Sequence, residues 1–400
     1  MFEIEGKYNT AICYANTIEE QAVEQIRSMC DCEFIAGNKI RIMPDVHAGA
    51  GCTIGTTMTI ADKVVPNIVG VDIGCGMYTM KLVEQYIDFE TFDEAVHYIP
   101  SGMNVWDKCI EPFDIESLHC FNKLKNTERL RCSIGTLGGG NHFIELNRGR
   151  DGYVYFVIHS GSRNLGKQVA EYYQNIAIQA VNGRNDYKKR CEMLIAEYKA
   201  AGRQGEIQSA LAKLKSEKHD NTMPDALCYV SGDDFKHYIH DMEICQKFAK
   251  RNRELIARTI LERTGLHVLR AFHTMHNYID VDEMILRKGS IQAHKDQLVL
   301  IPINMRDGSI LGTGKGNADW NYSAPHGAGR IMSRTKAKES ISIEDYKQAM
   351  SGIYSTSVNI STIDEAPMAY KSMDEIIETI KDTVNIVDIL KPIYNFKASQ

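Results

Sequence analysis

Four segments of this chain carry metal-binding side chains, three of them beside glycine. "VDIGCGM" holds Asp72 and Cys75 three apart, and "GGGNHFIEL" holds His142 between Asn141 and Glu145. "VIHSGSRNLGK" ends an apolar run on His159, and "HTMHNYID" carries His273 and His276. Glycine lets backbone approach closely or adopt positive φ, which suits a tight site assembled from several loops. A thiolate, a carboxylate and three imidazoles are too many for one tetrahedral zinc. They suit two ions sharing a bridging ligand, as two-metal phosphoryl chemistry requires. Each residue also has an ordinary alternative. A histidine at a strand end is commonly a hydrogen-bonded structural residue, a cysteine commonly a small buried hydrophobe, and Asp72 a turn residue. His273 and His276, if helical, could be surface neighbours. The residues by themselves reach a candidate dinuclear metal site and stop there.

A fifth segment, "SAPHGAGRIMSR" (Ser323–Arg334), sets His326 in a glycine turn with Arg330 and Arg334 four and eight residues on. His326 is either a group aimed at something anionic or a turn before a helix. The two arginines could equally share one solvated helix face. Three glycine-rich stretches bind no phosphate by a standard motif. "GAGCTIG" is not G-x-G-x-x-G, "GTLGGGNH" lacks the Lys-Ser/Thr of a P-loop, and "GTGKGN" follows its lysine with Gly316.

The elements that must position these groups change character along the chain. Residues 1–180 read mostly as short strands joined by glycine turns, as in "KIRIMPDVHAGAGCTIGTTMTI" and "YVYFVIHSGS". Residues 186–264 read as a helical insertion, with two helices broken near Gly202 and Gly205. A third has Ser231 and Asp234 as a capping box and Gly265 as its stop, and Phe235, Tyr238, Met242, Cys245, Ala249, Asn252 and Ile256 recur at helical spacing. Strands return from His267 to Gly312. Ser342 and Ser372 read as N-caps of two late helices, and "VNIVDILKPIYNF" as a final strand. Runs of strands with segregated helices predict an α+β fold, one large domain over 1–400 with mixed and antiparallel sheets and surrounding helices.

Composition bounds the class. Four hundred residues with 44% hydrophobic content can bury a large core, and nine prolines leave no linker-like stretch. A net charge of −6 argues against a nucleic-acid coat protein but permits a local basic groove. "MFEIEGKYNT" has no basic start followed by an apolar stretch, so no signal peptide is expected, and no apolar run suits a membrane span. Eleven scattered cysteines fit free thiols in a reducing cytoplasm, with Cys30 and Cys32 a weak metal signal.

In order along the chain, "MPDVHAGAGCTIG", "VGVDIGCGM", "GGGNHFIEL", "HSGSRNLG", "HNY", "RKG", "GKGN" and "HGAGRIMSRTKAK" resemble the motif series of the RtcB family, GTP-dependent RNA-splicing and repair ligases. The resemblance runs from about Ile42 to Lys397. It implies two Mn2+ ions, with Cys75 bridging both, Asp72 and His142 completing one and His159 and His276 the other. His326 matches the histidine that attacks the α-phosphate of GTP and becomes guanylylated. Asn141, Glu145, Tyr370 and Lys397 match the guanylate site, Arg163, Arg330 and Arg334 match arginines that receive RNA phosphates, and Asp45 and His47 border the RNA path. The implied partners are RNA (tRNA halves or cleaved RNA), GTP and an archease-like helper. Manganese lies at the weak end of the divalent series, so its use is implied by the family and not by the ligand set.

One segment departs from the family. Where many members have "PGSMG", this chain has "PINMR" (Pro302–Arg306), which puts Asn304 where the nucleotide-holding serine would be. Two competing functions are a metal phosphoesterase acting on cyclic phosphate ends and a non-catalytic RNA-binding factor. The first needs the metal ligands but not His326. The second would tolerate loss of a ligand.

Overall fold

The computed structural model describes residues 1–182, 184–216 and 223–398. Seven strands form an antiparallel, curled sheet in the order Val268–Met275, Gly76–Leu82, Val154–Ser160, Phe143–Arg148, Val384–Lys397, Gly308–Gly314 and Leu298–Asn304. Its centre is apolar on both faces because both are covered. Along Val154–Ser160 every residue is buried. Val154, Phe156 and Ile158 pack with Ile256 and Ile260 of the helix Gly232–Thr264. Tyr155 and Val157 alternate to the other face and meet Leu300, Leu311 and Leu390. His159 follows that second face, opposite Met77 and Phe143 in register.

A six-stranded sheet stands beside it, in the order Phe2–Glu5, Thr10–Cys13, Ile40–His47, Ile54–Thr59, Ile285–Lys288 and Asn277–Asp280. Its Thr10–Cys13 and Ile40–His47 strands pair in parallel and its other neighbours are antiparallel. The two sheets are continuous in sequence at His276, which lies between the Val268–Met275 and Asn277–Asp280 strands. The fold is α+β, as the pattern of elements predicts. Among the described residues no helix is long and apolar enough to cross a membrane.

Several helices follow their sequence signals. The segment after residue 183 folds as Arg184–Ala200 and Ile207–Ser216, with Gly202 at φ 72° between them. Ser342 and Ser372 cap the helices Ile343–Ala349 and Met373–Thr379 by accepting from the backbone N–H of Asp345 and Glu375. Gly265 ends Gly232–Thr264 in the left-handed region at φ 69°. Ser231 is the N-cap residue of that helix, but its side chain makes no capping hydrogen bond, so the capping box is not formed.

Other expectations need correction. The first 180 residues are not mainly strands: they include Glu20–Cys30, Phe89–His97 and most of the 19-residue helix Arg163–Val181. The last of these starts inside "HSGSRNLG", whose Gly and Ser read as a turn, yet it buries Leu165, Val169, Tyr173 and Ala177 at a four-residue spacing. His273 and His276 are not helical neighbours. His273 lies in the Val268–Met275 strand, stacked on Tyr78 at 4.2 Å. Arg330 and Arg334 do not share a helix face either, because the helix Arg334–Ser340 begins at the second of them.

Candidate active site

The strand ends and loops bring Asp72, Cys75, His142, His159 and His276 together. Cys75 Sγ lies 3.5 Å from His142 Nε2 and 3.2 Å from His159 Nε2. Asp72 Oδ2 is 3.0 Å from His142 Nε2, and His159 Nε2 is 3.4 Å from His276 Nε2. His142 donates Nδ1–H to the carbonyl of Leu137 at 2.8 Å, and His159 donates Nδ1–H to that of Asn141 at 3.0 Å. A carbonyl can only accept, so both rings present Nε2 as a lone pair to the cluster. Burial pushes His159 and His276 well below the ordinary histidine range and keeps them neutral. Burial pushes the Cys75 thiol up, and the Asp72 carboxylate adds to it.

The glycines beside these ligands have a steric cause. A Cβ on Gly161 would lie 2.1 Å from Asp72 Oδ1, and one on Gly138 would lie 2.5 Å from His142 Nδ1. The donor set is one that could hold divalent metal. Each of the imidazoles, the carboxylate and the thiol lies within 3.5 Å of at least one other of the set, with few donors to satisfy so many lone pairs.

His326 sits against this cluster, its ring centroid 4.7 Å from that of His276. Its Nδ1 is 2.6 Å from Oδ2 of Asp45, a fully buried carboxylate in the Ile40–His47 strand. The same oxygen accepts the backbone N–H groups of His326 (3.1 Å) and Gly327 (3.3 Å). Nδ1 is therefore a protonated nitrogen, and in the neutral ring Nε2 carries the lone pair. Asp45 reads from sequence only as a border of an RNA path. An aspartate between the buried residues of an apolar strand was the available signal, and the partner 281 residues away was not.

A cavity of about 440 Å3 opens beside His326 and His159. It is lined among others by Asn141, Glu145, Asn304, Tyr370 and Lys397, together with Arg330 and Arg334. Glu145 accepts from the side-chain amides of Asn147 and Asn395, both at 2.7 Å, and burial pushes its carboxyl up to about 7. Asn304 lies on the wall, but its side chain serves the turn of the Leu298–Gly314 hairpin. Its oxygen accepts from the N–H groups of Arg306 and Asp307, and its amide donates to Asp307 at 2.8 Å. His47 is also on the wall, its Nδ1 held 2.9 Å from the Asp45 carbonyl.

The arginines go to different places. Arg163 is not on the cavity wall; it donates to Thr136 Oγ1 at 3.0 Å and to the Gly102 carbonyl at 2.6 Å. Arg330 and Arg334 converge on Glu365, at 3.5 and 2.5 Å. Tyr370 donates to the same carboxylate at 2.6 Å, and Lys397 pairs with it as well. Burial disfavours the charge on Glu365, but Lys397 and Arg334 outweigh it and hold the carboxyl down at about 2. Sequence reading did not find this hub. Its only signal was the acidic pair in "IDEAPMAY".

Comparison with known proteins identifies the family. The family model described as tRNA-splicing ligase RtcB matches residues 25–112 and 110–398. The chain belongs to the RtcB family. RtcB relatives cover nearly the whole of it. The RNA-splicing ligase RtcB of Escherichia coli (strain K12) is 28% identical over 422 residues, covering 94% of this chain and 94% of that protein. The tRNA-splicing ligase RtcB of Aeropyrum pernix is 28% identical over 431 residues, covering 84% and 82%. A second Escherichia coli relative, RNA-splicing ligase RtcB2, is 24% identical over 414 residues, covering 96% and 93%. The family match therefore spans the whole seven-stranded sheet and every residue of the cluster, and begins after the Phe2–Glu5 and Thr10–Cys13 strands of the other sheet.

Proposed function

We propose that this chain is an RNA ligase that joins 2′,3′-cyclic phosphate or 3′-phosphate ends to 5′-hydroxyl ends, using GTP through a guanylylated His326. The observation that carries the reading is the Asp45–His326 pair, which frees Nε2 beside both the ligand cluster and the cavity. Water first opens a cyclic phosphate to a 3′-phosphate. His326 Nε2 attacks the α-phosphorus of GTP, a P–N bond forms and pyrophosphate leaves. An oxygen of the RNA 3′-phosphate then attacks that phosphorus, releasing the imidazole and making an RNA-ppG end. The 5′-hydroxyl attacks the RNA phosphate and GMP leaves. Imidazole suits this relay because it is nucleophilic when neutral and leaves readily from a phosphoramidate.

Asp72, Cys75 and His142 would hold one ion and Cys75, His159 and His276 a second, read as manganese from the family. Bound there, they would polarise phosphate oxygens and offset developing charge. Glu145, Asn141, Tyr370 and Lys397 would hold the guanylate. Asn304, engaged in its turn, would shape the wall and not grip the nucleotide. Arg330 and Arg334 would exchange Glu365 for RNA phosphates, since an arginine fork serves either oxyanion, while Arg163 would guard a more distant phosphate. RNA, whether tRNA halves or other cleaved ends, is the proposed partner, with an archease-like helper and a cytoplasmic location. In the same proposal one ligase domain spans 1–400 and the helical span 186–264 is inserted within it.

A phosphoesterase would need the ligand cluster but not a guanylylated His326, so covalent labelling by GTP separates it from the ligase. The test is ligation of defined 3′-phosphate and 5′-hydroxyl oligonucleotides with GTP and Mn2+, alongside covalent labelling by GTP radiolabelled at the α-phosphate. Ligation is expected, and His326→Ala is expected to abolish the label. Full labelling of that variant would remove the nucleophile assignment.

A further inference from the structure

A second cluster of metal-binding donors lies outside the one around Cys75. Cys109 is in the coil that follows the Phe89–His97 helix, while Glu128 and Cys132 lie in and just after the helix Thr127–Arg131. Their four-residue spacing puts both on one side of that turn. Cys109 Sγ is 3.6 Å and Cys132 Sγ 3.9 Å from the same oxygen, Glu128 Oε1, and all three donor atoms lie within 4.8 Å of one another. Zinc bonds of about 2.3 Å to sulfur and 2.1 Å to oxygen, at tetrahedral angles, require a sulfur–oxygen edge of about 3.6 Å. The observed separations match that edge within a few tenths of an ångström. The other oxygen, Glu128 Oε2, is 3.4 Å from Arg131 Nη1, which turns Oε1 toward the sulfurs.

We propose that Cys109, Glu128 and Cys132 form a zinc site that ties the 103–110 segment to the Thr127–Arg131 helix, with a fourth position left to solvent. Two thiolates select a soft ion such as zinc over manganese, so the site and the Cys75 cluster can hold different metals in one molecule. The tie reaches toward the RNA-phosphate arginine. Trp106 donates its backbone N–H to the Cys132 carbonyl and its ring N–H to the Gly135 carbonyl, both at 3.1 Å. Thr136 follows directly and receives Arg163, whose other bond goes to Gly102. Both segments that hold Arg163 thus lead from the zinc site. The assignment of the metal does not depend on the ligase reading.

The test compares the full-length wild type with Cys109→Ser/Cys132→Ser after zinc loading, exchange against excess Mn2+ and desalting. Metal analysis is expected to find one zinc fewer per chain in the double variant. Cobalt titration should show the charge-transfer intensity of two cobalt–sulfur bonds missing from it. Should the double variant not fold, Glu128→Gln serves, because that side chain is 78% exposed. Its zinc affinity, read by competition with a chromophoric chelator, is expected to fall about 10-fold or more. Equal zinc content and superimposable cobalt spectra, unchanged affinity in Glu128→Gln, or a Cys109–Cys132 disulfide in freshly purified protein would each overturn the assignment.

Discussion

His326 shows how one neighbour decides what an imidazole can do. Oδ2 of Asp45 accepts the ring Nδ1–H and two backbone N–H groups, so it fixes both the tautomer and the turn. An asparagine can place its oxygen in the same position and keep the orientation while losing the charge. Alanine loses both. GTP labelling is therefore expected to fall in the order wild type, Asp45→Asn, Asp45→Ala, with the last about 100-fold or more below wild type. Equal labelling of all three would show that the pair is only structural. Glu145 makes a separate prediction. Burial raises its carboxyl from 4.5 to about 7, so the folded protein binds that proton more tightly than the unfolded chain. The stability it contributes is complete below the ordinary value and is lost as pH rises toward 7, on the order of 3 kcal/mol in all. Glu145→Gln stays neutral at every pH. Melting curves should show wild type losing ground to the variant across that window, and parallel curves would refute the shift.

At the scale of elements, the helix Gly232–Thr264 is the support on which the ligand loops rest. Asn252 donates to Ser160 Oγ and the Gly161 carbonyl and accepts from the Thr136 N–H. The fully buried Arg253 donates one nitrogen to the carbonyls of Gly74 (2.8 Å) and Ser160 (2.7 Å), the residues next to Cys75 and His159. Arg253→Met is expected to lower Mn2+ affinity about 10–100-fold by loosening both loops, with Arg253→Lys partly restoring it. Competition binding would measure this, and wild-type affinity in Arg253→Met would separate the helix from the site. The apolar stripe of this helix was legible because the 3.6-residue period is written into neighbouring residues. What Asn252 and Arg253 hold was not, since their targets lie 91 or more residues away. The helix Arg163–Val181 escaped for a different reason: its Gly and Ser start imitates a turn, and burial against other elements overrides that local signal.

Across the whole molecule, Glu365 gathers groups that sequence reading assigned to two separate jobs. Tyr370 and Lys397 belong to the proposed nucleotide wall, and Arg330 and Arg334 to the proposed RNA path, yet all four meet one carboxylate. Glu365→Gln removes the carboxylate charge paired with Arg330 and Lys397 and leaves Arg334 with Asp364, 2.5 Å away. A loss of about 3–5 kcal/mol is expected from chemical denaturation, with weaker binding of both GTP and RNA. Loss of one affinity alone would show that the hub does not couple them.

The amino-acid sequence alone determined the glycine-flanked ligand motifs, the helix stops and caps at Gly265, Ser342 and Ser372, and the α+β character. All of these are local, set by one residue's backbone freedom or by its immediate neighbours. Only the tertiary structure decided that the loops of Cys75, His142, His159 and His276 converge, that Asp45 holds His326 and that Glu365 joins two sets of cations. Those contacts span up to 281 residues of chain. Sheet register and core packing set such distances, and no short window of sequence contains them.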